Sequence, residues 1–300
     1  MSTRRGNALQ RKETRAAWMF LTPALVALTL VAFWPLARTL YFSFTNATLD
    51  DPSVYDFIGW QNFVDIAMDG QWWRAVANTV VFTIISVSLE TLLGLGIALL
   101  LNQALPGRGA LRAAILIPWS IPVVVSAKIW EWMLHDQFGI LNNLLIGLGF
   151  IDHGIAWTAT PSLVMGVIIF VDVWITTPFM VLLILAGLQV IPEEVREAAL
   201  VDGVPWWKRF WSITLPLLRP AIGVAVLFRA LDAMRMFDLA YILAGNGERT
   251  QTISIYARNQ LISFQETGLG SAASTWVFFV IALVAILIIG TMRLDRAAGK

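Results

Sequence analysis

One apolar stretch of this chain carries four ionisable side chains within ten positions, Phe228-Arg229-Ala-Leu-Asp232-Ala-Met-Arg235-Met-Phe237-Asp238. Charges are costly away from water, so they need either mutual neutralisation or a task. The steps Arg229 to Asp232, Asp232 to Arg235 and Arg235 to Asp238 are all i to i+3, which on a helix sets opposite charges side by side. Two readings stand open: a salt-bridge ladder locking helices together, or hydrogen-bonding groups for a polar substrate. A second set, Asp172, Trp174, Thr176, Thr177 and Phe179, could face that row across a cavity, with Pro178 loosening the backbone beside it. Glu90 is another buried-charge candidate. Glu131, Lys128 and Arg38 lie near span ends, where a surface or snorkelling position accounts for them.

Other chemistries are absent from the sequence. There is no cysteine and only His135 and His153, so thiolate chemistry is excluded and a histidine-built metal centre is not expected. Both histidines read as solvated loop residues. No phosphate-cradling G-x-x-x-x-G-K-[ST], nucleophile-elbow G-x-S-x-G or H-E-x-x-H occurs, so no ATP site and none of those hydrolase activities is assigned. With 21 Lys+Arg against 20 Asp+Glu, the net charge of +1 gives no electrostatic footprint for nucleic acid.

The elements that must position the charges are membrane helices. Apolar residues make up 58% of the 300 positions and charged residues 14%, with a mean hydropathy of +0.71. Six stretches reach the roughly 20 residues that cross a hydrocarbon core, over about 17–44, 76–101, 113–134, 162–188, 217–243 and 271–292. The first is too long for a signal core and reads as a retained helix. We therefore expect an all-α membrane protein with six transmembrane helices. It divides into a segment 1–16, one transmembrane domain 17–292 and a tail 293–300. Gly94-x-x-x-Ala98 reads as helix packing, and Trp72, Trp73 and Trp157 as an aromatic belt.

Fourteen lysines and arginines fall on one set of ends: Arg4, Arg5, Arg11, Lys12 and Arg15; Arg108 and Arg112; Arg196, Lys208, Arg209 and Arg219; Arg293, Arg296 and Lys300. The opposite segments hold only Arg74, Arg249 and Arg258. By the excess of cations in cytoplasmic loops, both termini are expected in the cytoplasm.

The longest segment on that side, 189–220, reads as two short helices. Pro192 suits a first turn, Glu193 and Glu194 complement the helix dipole, and Gly203 supplies a left-handed stop. Val195, Ala198, Ala199 and Asp202 share a narrow face suited to insertion into a groove. Pro205 opens a second helix whose Trp206, Trp207, Phe210 and Trp211 suit the membrane interface. A plain amphipathic connector lying on the bilayer is the alternative.

Glu197-Ala198-Ala199, then Asp202-Gly203, then Ile213-x-Leu215-Pro216 and Pro220 resemble the "EAA" signature of the membrane subunits of binding-protein-dependent ABC importers. Val204 stands where that family usually has Ala. Pro23 with Phe33-Trp34-Pro35, Asn78-Thr79, and Phe237-Asp238 with Leu243 and Thr250 are similar to the larger permease of the maltose-transporter subclass. Gly245-Asn246-Gly247 departs from that subclass's usual Gly-Gly-Pro.

The resemblance implies a type I ABC importer permease fold in a bacterial inner membrane. It implies that helix 192–203, with Glu197, Ala198, Ala199, Asp202 and Gly203, couples to an ATP-hydrolysing partner. The expected partners are two such ATP-binding cassette subunits, a second related permease and an extracytoplasmic sugar-binding protein. The chain itself would be non-catalytic and hold no cofactor, with ATP and Mg on the partner subunits. The stretches flanking the signature line the sugar site in that subclass. A pyranose ring offers hydroxyls at its edge and C–H groups on its faces, matching planar polar and aromatic side chains. Asp172, Trp174, Phe179, Arg229, Asp232 and Met236 are therefore the expected sugar contacts. The first expectation for the substrate is a di- or oligosaccharide such as trehalose or maltose, with monosaccharides and glycerol phosphate esters left open. The rival function is an ion-coupled secondary carrier using the Arg229 to Asp238 row.

Overall fold

The computed structural model describes residues 3–51, 53–103 and 106–298, with side chains described over 13–51, 53–103 and 106–290. Lys300 and the side chains of Arg4, Arg5, Arg11, Lys12, Arg293 and Arg296 lie outside the described residues. Helices dominate: α1 (Thr3–Leu28), α2 (Trp34–Phe42), α3 (Gln61–Met68), α4 (Gly70–Leu101), α5 (Arg108–Ser120), α6 (Val123–Met133), α7 (Ile140–Gly147), α8 (Val164–Val190), α9 (Glu193–Val201), α10 (Trp206–Arg209), α11 (Leu215–Met234), α12 (Asp238–Ala244), α13 (Ile253–Arg258) and α14 (Thr267–Ala298). Among the described residues there is no strand beyond one isolated bridge between Thr45 and Phe57.

Five helical rods are long and apolar enough to cross a membrane: Glu13–Phe42, Gly70–Leu101, Val164–Val190, Trp206–Met234 and Thr267–Gly290. The third expected span, 113–134, is not one rod. α5 and α6 meet at an 88° bend. Pro122 occupies the break and Pro118 lies just before it, so the backbone loses two donors where the helix would continue.

Two rods run through π-helical turns. Thr29–Phe33 joins α1 to α2, and Phe210–Thr214 joins α10 to α11. Each is centred four residues before a proline, Pro35 and Pro216 respectively. A proline ring clashes with the carbonyl four residues back, and one wider turn relieves that clash without breaking the rod. The expected second loop helix is consequently not separate. α10 is the first turn of the fifth span, which starts at Trp206 and ends at Met234, not at 217 and 243.

The described chain divides into two compact units. One comprises 1–66 with 257–276. Within it Asn62 Nδ2 donates to the carbonyls of Ser43 and Thr45 at 3.0 and 2.8 Å, beside a ring cluster of Phe44, Trp60 and Phe63.

The other unit comprises 67–256 with 277–300. Its centre is α8, packed against α4, α11 and α5. Val171, Ile168, Met180 and Ile184 of α8 are fully buried. Gly187 is what lets α11 in so close: a Cβ there would lie 2.4 Å from Ala221 Cβ. Gly94 faces Met180 in the same manner, and Ala98 packs among Val181, Ile184 and Leu185, so this small-residue pair does serve packing. Trp72 is buried edge-on against Tyr256, and Trp157 donates to Asn142 at 2.9 Å beneath the loop; neither is a belt residue. Trp73 is exposed.

Candidate functional site

At the heart of the larger unit, three helices contribute one ionic cluster. Arg229 of α11 is 2% exposed. Its Nε donates to Glu90 Oε2 at 2.6 Å and its Nη2 to Glu90 Oε1 at 3.1 Å, a bidentate clasp onto α4. Nη2 also meets Asp172 Oδ2 on α8, and Nη1 meets Asp232 Oδ2 at 3.0 Å. Ser86, one turn before Glu90, lies within hydrogen-bond reach of Glu90 Oε1 (2.7 Å) and of Asp172 Oδ2. A buried guanidinium is tolerable only when its donors are satisfied, and here three carboxylates satisfy them.

The cluster forms one wall of two adjoining cavities of about 340 and 260 Å³, which share Thr176, Arg229, Asp232 and Arg235. Asp172, Met236, Phe237 and Asp238 line the first; Trp119, Phe179 and Phe228 line the second. Trp119 and Phe179 stack with centroids 5.8 Å apart, and Phe237 stacks on Tyr241 at 5.2 Å. The space thus presents exposed carboxylate oxygens, one accessible guanidinium, a threonine and aromatic faces. That is the equipment for holding a polyhydroxylated ring.

The charge row is divided by the backbone. α11 ends at Met234, Arg235 caps it, and α12 starts at Asp238. Asp232 bridges Arg229 at 3.0 Å and reaches Arg235 at 3.7 Å, but among the described residues no ion pair joins Arg235 to Asp238. The expected ladder therefore has two rungs and then a break. Thr252 Oγ1, donating to Met236 O at 2.9 Å, holds the broken segment.

Of the six expected sugar contacts, Asp172, Phe179, Arg229, Asp232 and Met236 come together around these cavities. Trp174 does not. It packs edge-on against Trp130 at 5.5 Å and lines a separate apolar groove with Leu93 and Pro118. The positions missed are Ser86, Trp119 and Phe237. Ser86 and Glu90 left a legible signal, a polar pair at i, i+4 inside an apolar span.

The segment expected to couple is the short helix α9. Glu193 and Glu194 occupy its first turn, and Asp202 caps its end. Gly203 has φ +68°, and it donates to Leu200 O at 3.0 Å while Val204 N donates to Ala199 O at 3.0 Å. These two bonds are a Schellman stop, which needs a left-handed residue. Ala199 turns inward and is buried, whereas Glu197, Ala198 and Asp202 are exposed. The anticipated alanine face is therefore split: Ala199 docks on its own protein and Ala198 is presented outward.

A model described as "binding-protein-dependent transport system inner membrane component" matches residues 90–298. The chain belongs to this family. The inner membrane component is 39% identical over 290 residues to the trehalose/maltose transport system permease protein MalF of Thermococcus litoralis, covering 96% of this chain and 97% of that protein. It is 39% identical over 288 residues to the trehalose transport system permease protein SugA of Mycobacterium tuberculosis, with coverage of 96% and 92%. The sulfoquinovosyl glycerol transport system permease protein SmoG of Agrobacterium fabrum is 38% identical over 264 residues, with coverage of 87% and 85%. In fold it matches a chain of a bacterial ABC transporter involved in the import of the acidic polysaccharide alginate, with a TM-score of 0.83 at 21% identity over 98% of this chain and 100% of that one. These relatives give the ion-coupled carrier no support.

Proposed function

We propose that this inner membrane component is the translocation subunit of an ATP-driven importer, and that its cargo is a neutral di- or oligosaccharide such as trehalose or maltose. The observation that carries the substrate class is the paired cavity. It brings the exposed carboxylate of Asp232 and the hydroxyl of Thr176 into one lining with the stacked Trp119 and Phe179. Arg229 is unavailable to an anion because three carboxylates already hold it. Arg235, with its side chain 68% exposed, is the one other cation lining the cavity among the described residues, and Asp232 stands beside it. That balance favours neutral hydroxyls over a phosphate or sulfonate. The full-length similarity to permeases named for trehalose and maltose supports the same class.

In this reading both termini are cytoplasmic and α9 docks into an ATP-binding cassette subunit. Two such subunits carry ATP and Mg, a second related permease completes the pore, and an external binding protein delivers the sugar. The chain catalyses no reaction itself. The exposure of Glu197, Ala198 and Asp202 on a rigidly stopped helix supports the docking role. The test is reconstitution of the purified complex in liposomes, following ATP-dependent uptake of labelled trehalose and maltose with and without the binding protein. Uptake by the lone chain under an ion gradient, without ATP, would overturn the reading.

A further inference from the structure

Two other cavities share no lining residue with the candidate sugar site. The first, of about 700 Å³, lies where α4 and α8 end and α9 begins, and Arg108, Arg112, Glu194, Arg196 and Arg209 are among its walls. Arg196 pairs with Glu193. Arg108, Arg112 and Arg209 have no ion-pair partner among the described residues, which leaves three guanidiniums and Glu194 unpaired on the lining. Arg112 Nη2 donates to Leu101 O at 3.1 Å, while its Nε is buried with no hydrogen-bond partner. Three guanidiniums lining one cavity with unspent donors suit a phosphate group.

The second cavity, of about 550 Å³, is apolar, walled by Leu89, Leu93 and Ile97 of α4, Ile115 and Pro118 of α5, and Phe170 of α8. The two follow one another along the same helix faces. On α5, Arg108, Arg112, Ile115 and Pro118 form one stripe that starts in the basic cleft and ends in the apolar groove. From Arg108 to Pro118 a helix rises about 15 Å, close to the hydrocarbon depth of one leaflet of a core roughly 30 Å thick. Exposed Trp206 and Trp207 sit on the same turn as Arg209, at the level expected of an interface.

We propose that these two cavities together bind one anionic phospholipid, its phosphate held by Arg108, Arg112 and Arg209 and an acyl chain laid between α4, α5 and α8. The headgroup would rest against the start of α9, tying the end of that helix to the bilayer. This site is independent of the sugar cavities, so it stands whether or not the substrate is a disaccharide.

The test uses the full chain, purified from membranes with its accompanying subunits and exchanged into nanodiscs holding phosphatidylglycerol and phosphatidylcholine in equal amounts. Lipid retained on the protein is counted by native mass spectrometry. The expected result is roughly tenfold enrichment of phosphatidylglycerol, because phosphatidylcholine brings the same phosphate but sets a choline cation beside the three arginines. Combined Arg108→Gln, Arg112→Gln and Arg209→Gln should abolish the enrichment. Ile97→Trp, with the arginines intact, should remove retained lipid of both kinds. If the triple variant fails to assemble, the wild-type ratio and Ile97→Trp still decide. Equal retention of the two lipids overturns the proposal. So does displacement by millimolar inorganic phosphate, which would mark a site for soluble anions, or retention of lipid only after the ATPase subunits are stripped from the complex, which would assign the cleft to that interface.

Discussion

Arg229 and Glu90 lie 139 positions apart in sequence and meet through two parallel hydrogen bonds, Nε to Oε2 at 2.6 Å and Nη2 to Oε1 at 3.1 Å, with both side chains shut away from solvent. This pair joins α4 to α11 at the wall of the candidate sugar cavity. It makes Arg229 a strut that aims Asp232 into the cavity, not a free hand for the substrate.

Without Glu90, Arg229 keeps Asp172 and Asp232, but its buried Nε loses its acceptor. Glu90→Ala is therefore expected to destabilise the subunit by about 1–3 kcal/mol, the cost of an unsatisfied buried donor. A fall in the thermal midpoint of the detergent-solubilised complex checks this, and an unchanged midpoint would show that Arg229 finds its support elsewhere.

Asp232 should behave in the opposite way. Its side chain is 60% exposed, so the pair with Arg229 contributes little to stability, on the scale of about 0–1 kcal/mol. Losing the hydrogen bond that a sugar hydroxyl donates to this charged acceptor costs about 1.5–3 kcal/mol, so Asp232→Ala should lower transport by roughly ten- to a hundredfold. Uptake and complex yield measured together separate the roles: normal uptake with poor yield would make Asp232 structural.

At the stop of α9, Gly203 has φ +68°. A β-branched residue there is strained by about 1–3 kcal/mol, so Gly203→Val should misplace Glu197 and Asp202. We expect ATP hydrolysis by the complex to lose its dependence on sugar and binding protein, with the chain still inserted in the membrane. Glu197→Lys should uncouple in the same way through charge. Fully coupled uptake in both variants would remove α9 from the docking role.

The α8–α11 contact tests the packing itself. Gly187→Ala would place a methyl 2.4 Å from Ala221 Cβ, and overpacking of this kind costs about 1–3 kcal/mol. Ala221→Gly added to it should recover most of the loss. If the double variant melts no higher than Gly187→Ala alone, the helices do not meet where these residues place them.

Long apolar runs made five of the six spans readable, because crossing a hydrocarbon core requires length before anything else. The bend in the third expected span is not legible, because apolar length carries no information about direction, and the chain turns by 88° there between Pro118 and the helix after Pro122. The charge row was legible as chemistry, since four charges in an apolar run demand an explanation. Its end was not: the helix stops at Met234, and only tertiary contacts such as Thr252 on Met236 hold the break. Trp174 was grouped with Asp172 by proximity in sequence, yet its ring turns to Trp130. Glu90 shows the reverse failure, for nothing local ties it to a residue 139 positions later.

The π-helical turn at Phe210–Thr214 has a consequence for anyone choosing positions to label or mutate in the fifth span. One residue too many in a turn rotates everything beyond it by about 100° relative to a regular helix. A helical wheel drawn straight from Trp206 to Met234 therefore puts Arg229 and Asp232 on the wrong azimuth with respect to Trp206 and Trp207. The same offset divides Trp18 and Phe20 from Leu36 and Leu40 across Thr29–Phe33. Cross-linking or cysteine-accessibility scans of either span should be phased separately on the two sides of the proline.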